Sequence, residues 1–374
     1  MAVSPADAVH VVGRMRLALI GHHVAPIRPP FAGGVESLTW YLARWLARRD
    51  HEVVLFAPPT SSVPGVEVRE LDLDIELTPA SRADVSMPPP AFMAAHHAYS
   101  RVMTRLAEDP EGFDLVHSHT LHYVPVLLAP LLSVPTLLTL HTPPTPWLES
   151  ALRSSRQLPA LSAVSAATSE LWSDIAHVTE IVPNGVDHTA WPLGEGGSDL
   201  VWCGRMVPEK APHLAIDAAR LAGLQLRLAG PIVDAAFWEA EVAPRLGDDV
   251  HYAGHLGHRA LADLVGGSLV ALMTPAWEEP FGLAAAEAMV TGTPVAAFAR
   301  GGLREIVTPD VGALARPGDV GSLAEAIRRA ARLPRRAVRA RAMRRLGIDA
   351  MGCGYERLYG RILAPGRDPA LEPA

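Results

Sequence analysis

The chain has 374 residues and carries 33 Lys and Arg against 40 Asp and Glu, a formal net charge of −7. That balance argues against a general nucleic-acid binder. Hydrophobic residues at 49% and charged residues at 20% exclude a disordered chain, and the length suits two domains of similar size better than one core.

Residues 1–14 include Asp7 and hold no sustained apolar run, so they read as a loose extension rather than a leader. Apolar runs at 17–20, 53–56, 66–71, 115–117, 136–140, 161–164 and 180–182 predict strands, with helical stretches at 35–49, 92–108 and 168–175 between them. Residues 120–147 contain no Asp, Glu, Lys or Arg, but six prolines interrupt them, from Pro125 to Pro146. Membrane-spanning helices rarely tolerate such spacing, so a buried helix near 123–132 and a buried parallel strand are expected, with no transmembrane segment. A turn at Pro183-Asn184-Gly185-Val186-Asp187 and a Gly-rich stretch at 194–198 mark a linker. Strands then resume at 200–203, 225–229, 250–253, 269–273, 294–297 and 313–315, and a last helix is predicted over 347–363. The expected division is a first α/β domain at 15–185, a linker at 186–199 and a second domain at 200–346. A terminal helix at 347–364 and a tail at 365–374 follow. Strand–helix alternation of this kind predicts α/β architecture with doubly wound parallel sheets, whose ligands bind beyond the carboxyl ends of the strands.

Chemistry concentrates at those strand ends. Glu279 and Glu287, with seven residues between them, follow the apolar run 269–273; the first falls in a strand-to-helix loop and the second about two turns into the helix. Between them Phe281, Gly282 and Leu283 offer backbone N–H groups at a helix start, where an anion is stabilised. Two carboxylates that seek hydroxyls, flanking an anion site, suit a sugar nucleotide. Arg205 and Lys210 lie on the loop opened by Gly204 after the strand 200–203, placed to converge on a diphosphate. Gly254-His255-Leu256-Gly257 follows the strand 250–253. Gly33 and Gly34 close the loop after the first strand, where paired glycines let backbone N–H groups approach an anion. His141 ends the buried strand 136–140.

Each feature also has a plainer reading, as surface charges, a flexible loop end or a structural histidine. His117, His119 and His122 imitate a metal cluster, and period-2 alternation puts His117 and His119 on one side of an extended segment. Asp72-Leu73-Asp74 imitates a metal-binding Asp-x-Asp, but alternation over 69–76 reads as a half-exposed strand without metal. Gly301-Gly302-Leu303-Arg304-Glu305 reads as structural. The Arg-rich run 328–345 reads as a solvated helix face, with contact to an anionic lipid or acceptor as the second reading. Cys203 and Cys353 are the only cysteines and have no metal-ligand spacing, which fits a reducing, cytoplasmic compartment.

The stretch from Glu279 to Glu287, with Pro280-Phe281-Gly282 inside it, resembles the paired-glutamate motif of the family 4 retaining glycosyltransferases, which have the GT-B fold. Gly204-Arg205-Met206-Val207-Pro208-Glu209-Lys210 resembles that family's donor loop, except that Ala211 stands where glycine is common. The resemblance implies two Rossmann-like domains facing a central cleft, and transfer of a sugar from a nucleotide-diphosphate donor, a UDP- or GDP-sugar, to an acceptor hydroxyl. The acceptor would be a small molecule, a glycan or a lipid-linked glycan. It further implies that Glu279 contacts the donor sugar, Glu287 the ribose, Arg205 and Lys210 the diphosphate, Gly33 and Gly34 the donor phosphate, and the Leu256 loop the base. His141 would lie against the donor sugar and His119 on the acceptor side. No metal and no cofactor are implied. A GT-B epimerase or a non-catalytic sugar-nucleotide-binding protein would share the same donor site.

Overall fold

A computed structural model describes residues 13–86, 88–109 and 111–364. Its first sheet has seven strands: β1 (Arg16–Ile20), β2 (Glu52–Ala57), β3 (Glu67–Glu70), β4 (Leu115–Ser118), β5 (Thr136–Leu140), β6 (Ala160–Ala163) and β7 (Glu180–Ile181), in the order β3-β2-β1-β4-β5-β6-β7. The second has six: β8 (Leu200–Cys203), β9 (Leu226–Ala229), β10 (Val250–Tyr252), β11 (Val270–Met273), β12 (Val295–Phe298) and β13 (Gly312–Ala315), in the order β10-β9-β8-β11-β12-β13. Every paired neighbour is parallel. In each sheet the order reverses beside the first strand, and the loops there open the crevice in which ligands of such sheets bind. This is the GT-B arrangement of two Rossmann-like α/β domains.

The central strands are apolar on both faces because helices cover both. All five residues of β5, Thr-Leu-Leu-Thr-Leu, are buried. The helix Gly34–Arg48 buries Leu38, Leu42, Trp45 and Leu46 on one side, the spacing of an amphipathic helix against a sheet. The last helix, Ile348–Leu363, follows the second sheet in sequence yet packs in the first domain's core. Its Met351, Tyr355, Leu358, Tyr359 and Ile362 join Leu17, Leu42 and Trp45 there. A Cβ on Gly352 would lie 2.3 Å from the Trp45 ring, so glycine sets this approach, and the Trp45 indole N–H donates to Asp349 at 2.8 Å. The two segments passing between the domains run side by side: Val186 N–H donates to Leu346 O at 2.8 Å and Ile348 N–H to Val186 O at 3.0 Å.

Two expectations are corrected. The alternation over 69–76 is not all strand. β3 ends at Glu70, and beyond it Asp74 N–H turns back to the Asp72 carboxylate at 3.2 Å, a local bond that competes with extension at a sheet edge. Nor is the Arg-rich run solvated throughout. In the helix Arg335–Leu346, Arg335 donates to the carbonyls of Ser268 at 2.8 Å and Gly266 at 2.6 Å and to the Thr293 hydroxyl at 2.9 Å. Arg339 donates to the carbonyls of Trp191 and Val290. Gly266 and Val290 end helices, whose last carbonyls lack partners of their own.

Candidate active site

Loops from the carboxyl ends of both sheets enclose a cleft of about 360 Å³. The loop after β8 contributes Gly204, Arg205 and Lys210, the loop after β10 contributes His255 and Leu256, and the segment after β11 contributes Glu279, Gly282, Leu283 and Glu287. The first domain adds Phe31, Gly33, Gly34 and Ser37 from the loop and helix after β1. A Cβ on Gly34 would lie 3.5 Å from Leu283 Cδ2, so the two walls nearly meet there.

Glycines set the backbone of this site where the chain needs them. Gly230 has φ +138, and a Cβ on it would lie 1.9 Å from Gly204 O. The loops after β8, β9 and β10 therefore stack, through Gly204 N–H to Ala229 O and Gly230 N–H to Gly254 O, both 3.0 Å. Gly282, at φ 93 and ψ 54, precedes the helix Leu283–Val290, whose first N–H groups lack intrahelical acceptors. Phe281 does not line the cleft; at 3% exposure its ring packs in the core below. Ala211 adopts left-handed φ 45 and ψ 55, a conformation glycine takes freely. It is held because Thr274 Oγ1 faces Lys210 O at 3.0 Å and Ala211 O at 2.9 Å, while accepting from the Trp202 indole at 3.0 Å.

Lys210, the only lysine of the chain, donates through Nζ to Glu279 Oε2 at 2.6 Å. Its ammonium lies 5.3 Å from the Trp277 ring centroid, and the Trp277 indole N–H donates to the same Glu279 oxygen at 3.1 Å. Arg205 is more exposed and pairs with Glu209 at 3.4 Å. Glu287 is half-buried in the cleft wall, and its carboxyl has no hydrogen-bond donor among the described residues. Desolvation pushes this carboxyl up to about 8, so it holds a proton near neutral pH.

The histidines form a separate layer. His119 Nδ1 and His141 Nε2 share a proton at 3.1 Å. His117 meets the Tyr359 hydroxyl through Nδ1 and the Thr139 hydroxyl through Nε2, both at 2.7 Å. All three rings are buried, and desolvation holds His117 and His119 well below the ordinary imidazole range and His141 down to about 3. His141 and His119 thus stand at their strand ends without lining the donor cleft. The nitrogens of His117 face hydroxyls rather than converging with His119 and His122, and no group of three or more His, Cys, Asp or Glu could hold a metal ion among the described residues. No described helix is long and apolar enough to cross a membrane.

Sequence reasoning missed the contacts that hold the Glu279 loop. Gly301 N–H donates to Glu278 Oε2 and Gly302 N–H to Glu279 O, both at 2.7 Å, and a Cβ on Gly301 would lie 2.1 Å from Glu279 O. On the other side Pro280 O accepts from the Ser165 and Thr168 hydroxyls of the first domain at 2.5 and 3.1 Å. Glu305 accepts from Ala166 N–H at 2.9 Å and Ala167 N–H at 2.8 Å, crossing between domains. The Gly301–Glu305 stretch, read from the sequence as structural, braces the Glu279 loop and also brings Leu303 to the cleft wall, and nothing near it in sequence signals its distant partners.

A family model described as Glycosyltransferase Family 4 matches residues 32–190, and one described as Glycosyl transferases group 1 matches residues 187–345. The chain is 28% identical over 364 residues to a glycogen synthase of Mycobacterium tuberculosis, spanning 84% of this chain and 85% of that one. It is 29% identical over 366 residues to a D-inositol 3-phosphate glycosyltransferase of Kribbella flavida, spanning 81% and 84%. Anabaena HepE, solved in complex with UDP and glucose, shares the fold with a TM-score of 0.71 at 17% identity, over 93% of this chain and 100% of that chain. The two matched stretches meet where the first sheet gives way to the second and together take in every strand but β1 and nearly all of the cleft lining. The chain belongs to the family 4 glycosyltransferases and has their GT-B architecture.

Proposed function

We propose that this chain is a retaining hexosyltransferase that moves a sugar from a UDP- or GDP-sugar to an acceptor hydroxyl. The observation that carries the reading is the meeting of Arg205, Lys210, Glu279 and Glu287 in one cleft with the helix start at Gly282 and Leu283. Breaking the anomeric C–O bond leaves negative charge on the diphosphate. The acceptor oxygen forms the new bond, and its proton passes to the leaving phosphate. Lys210 and Arg205 would meet the developing charge, each charge-assisted bond contributing roughly 1.5–3 kcal/mol. Lys210 has three N–H donors and spends one on Glu279 Oε2, so it can turn another to the phosphate while Glu279 Oε1 accepts from the sugar hydroxyls. Glu287 would accept from the ribose hydroxyls. His141, kept neutral by burial and engaged with His119 through Nε2, stands behind the cleft wall and would act on the donor sugar only through the loop that follows it. The walls nearly meet at Gly34 and Leu283, and further closure over the donor would exclude water and favour transfer over hydrolysis. Retention of configuration is inferred from the family and not from the geometry. UDP, bound in HepE, is the first nucleotide to test, and two free cysteines suit a cytoplasmic setting.

The test is incubation with UDP- and GDP-sugars and a panel of hydroxyl acceptors, reading the released nucleoside diphosphate and the anomeric configuration of the product by NMR. Product with the donor's configuration supports the proposal, and inverted product overturns retention. Isomerised donor without transfer would instead make the protein an epimerase.

A further inference from the structure

The loop that carries Glu279 has little regular structure of its own. Between β11 and the helix Leu283–Val290, main-chain groups of residues 275–280 are held at three points among the described residues. Ala276 N–H donates to Glu209 O at 2.8 Å, Gly302 N–H donates to Glu279 O at 2.7 Å, and Pro280 O accepts from two hydroxyls. The first two contacts lie within the second domain. The hydroxyls, those of Ser165 and Thr168, come from the first.

Their helix explains why these residues stand there. β6 ends at Ala163, and Ser165 caps the helix Ala166–Trp172, its Oγ accepting from Thr168 N–H at 3.0 Å. Capping uses a lone pair of the hydroxyl and leaves its proton, which Ser165 donates to Pro280 O at 2.5 Å. Thr168, in the first turn, donates to the same oxygen at 3.1 Å. Both residues are buried, and Val164 beside them joins Phe281, Leu303 and Ile306 in the second domain's core. Without the carbonyl, two buried hydroxyls would lose their acceptor.

Val164 and the Glu305 carboxylate, which accepts from Ala166 and Ala167 N–H, already join the two domains. The hydroxyls do something different, because they hold the carbonyl directly after Glu279. The Glu279–Pro280 peptide is planar, and proline fixes the φ that follows it. Holding these two adjacent carbonyls therefore leaves the Glu279 Cα little room to shift. Beyond that Cα the carboxylate is aimed by the Trp277 indole at 3.1 Å and Lys210 Nζ at 2.6 Å, both on Oε2. Glu287, by contrast, lies inside the helix Leu283–Val290, whose own ladder holds it.

We propose that Ser165 and Thr168 are positioning residues for the donor sugar, a reading that rests on the proposed transferase function. From the first domain they fix Pro280 O, so that Glu279 is set to grip the sugar only while the two domains are together. The nucleotide half of the donor, which Arg205 and Glu287 would meet, does not depend on them.

The test uses three variants of the full chain. Thr168→Val removes one hydroxyl at nearly constant volume and spares the cap, Thr168→Ser keeps that hydroxyl, and Ser165→Ala combined with Thr168→Val removes both. Calorimetry reads the binding of UDP, UDP-glucose, GDP and GDP-mannose. Thr168→Val should weaken the nucleotide sugar about fivefold, the scale of one hydrogen bond, while the nucleoside diphosphate stays within about twofold of wild type. The double variant should weaken the sugar nucleotide further, and Thr168→Ser should match wild type. Equal weakening of nucleotide and nucleotide sugar, or of neither, would overturn the proposal and leave the contact as adhesion between domains.

A second readout needs no nucleotide. In protein labelled with 5-fluorotryptophan, the Trp277 signal, assigned by its loss in Trp277→Phe, reports on the Glu279 carboxylate it bonds. That signal should shift in Thr168→Val and return in Thr168→Ser, and an unmoved signal would also overturn the proposal. If no nucleotide binds wild type, the donor reading fails, while the fluorine signal still judges whether the hydroxyls set the loop.

Discussion

Lys210 Nζ sits 2.6 Å from Glu279 Oε2, so the residue proposed to meet the diphosphate is bonded to the residue proposed to hold the sugar. The pair satisfies two charges that would otherwise face each other across a partly desolvated space. Donor binding would add a phosphate contact to Lys210 and sugar contacts to Glu279, each through hydrogen-bonding capacity the pair leaves unused.

Lys210→Ala should therefore lower kcat by roughly 10²-fold, the scale seen when one donor to a developing oxyanion is removed. Because no other lysine occurs, reductive labelling with pyridoxal phosphate should mark only Lys210 and the N-terminal amine. A nucleoside diphosphate should block labelling at Lys210. Unprotected labelling would place the diphosphate elsewhere.

Glu287 gives a pH dependence of stability with a defined sign. Burial raises its folded-state pKa from 4.5 to about 8. The folded state then holds a proton that the unfolded chain releases, so the stability this group provides is complete below about 4.5 and is lost as pH rises through about 8. The empty wild-type protein should lose stability between those limits in denaturant titrations, and Glu287→Gln should flatten the slope. Equal slopes for both proteins would show that the carboxyl is hydrated.

Glu305 receives two backbone N–H groups of the facing domain. Its replacement by Ala should cost about 0.5–2 kcal/mol, the range for loss of a helix cap. It should also widen the domain opening, seen as a larger radius of gyration by small-angle scattering. An unchanged radius and melting temperature would make the contact incidental.

Arg335 and Arg336 are adjacent but should differ sharply. Arg335 binds the carbonyls of Gly194, Gly266, Ser268 and Thr291, from three segments, and Arg335→Ala should destabilise by about 3 kcal/mol through the unmet acceptors it leaves. Arg336 is exposed, and Arg336→Ala should stay within about 0.5 kcal/mol of wild type in the same melts.

The sheets were legible because buried parallel strands are short apolar runs bounded by Gly and Pro; β8 and the helix Leu283–Val290 lie where their residues predict. The cleft lining was legible for a related reason: Gly204, Arg205, Lys210, Glu279 and Glu287 lie on the loops and helix that follow β8 and β11, and parallel sheets gather those segments at one end. Long-range partners were not legible. Arginines on a helix read as solvated until the carbonyls that receive Arg335 and Arg339 are in place. Likewise His119 and His141 lie 22 positions apart and meet only because β4 and β5 are neighbours. Ser165 and Pro280 lie 115 positions apart, so no local pattern announces their contact.

The most direct test of the donor site is thermal unfolding of wild type, Arg205→Ala and Glu287→Ala with UDP, GDP and ADP in turn. A nucleotide at 100 times its dissociation constant adds about 2.7 kcal/mol of stability. The account predicts a rise in melting temperature selective for one base and largely lost in both variants. A shift of equal size in all three proteins, or none with any nucleotide, would contradict it.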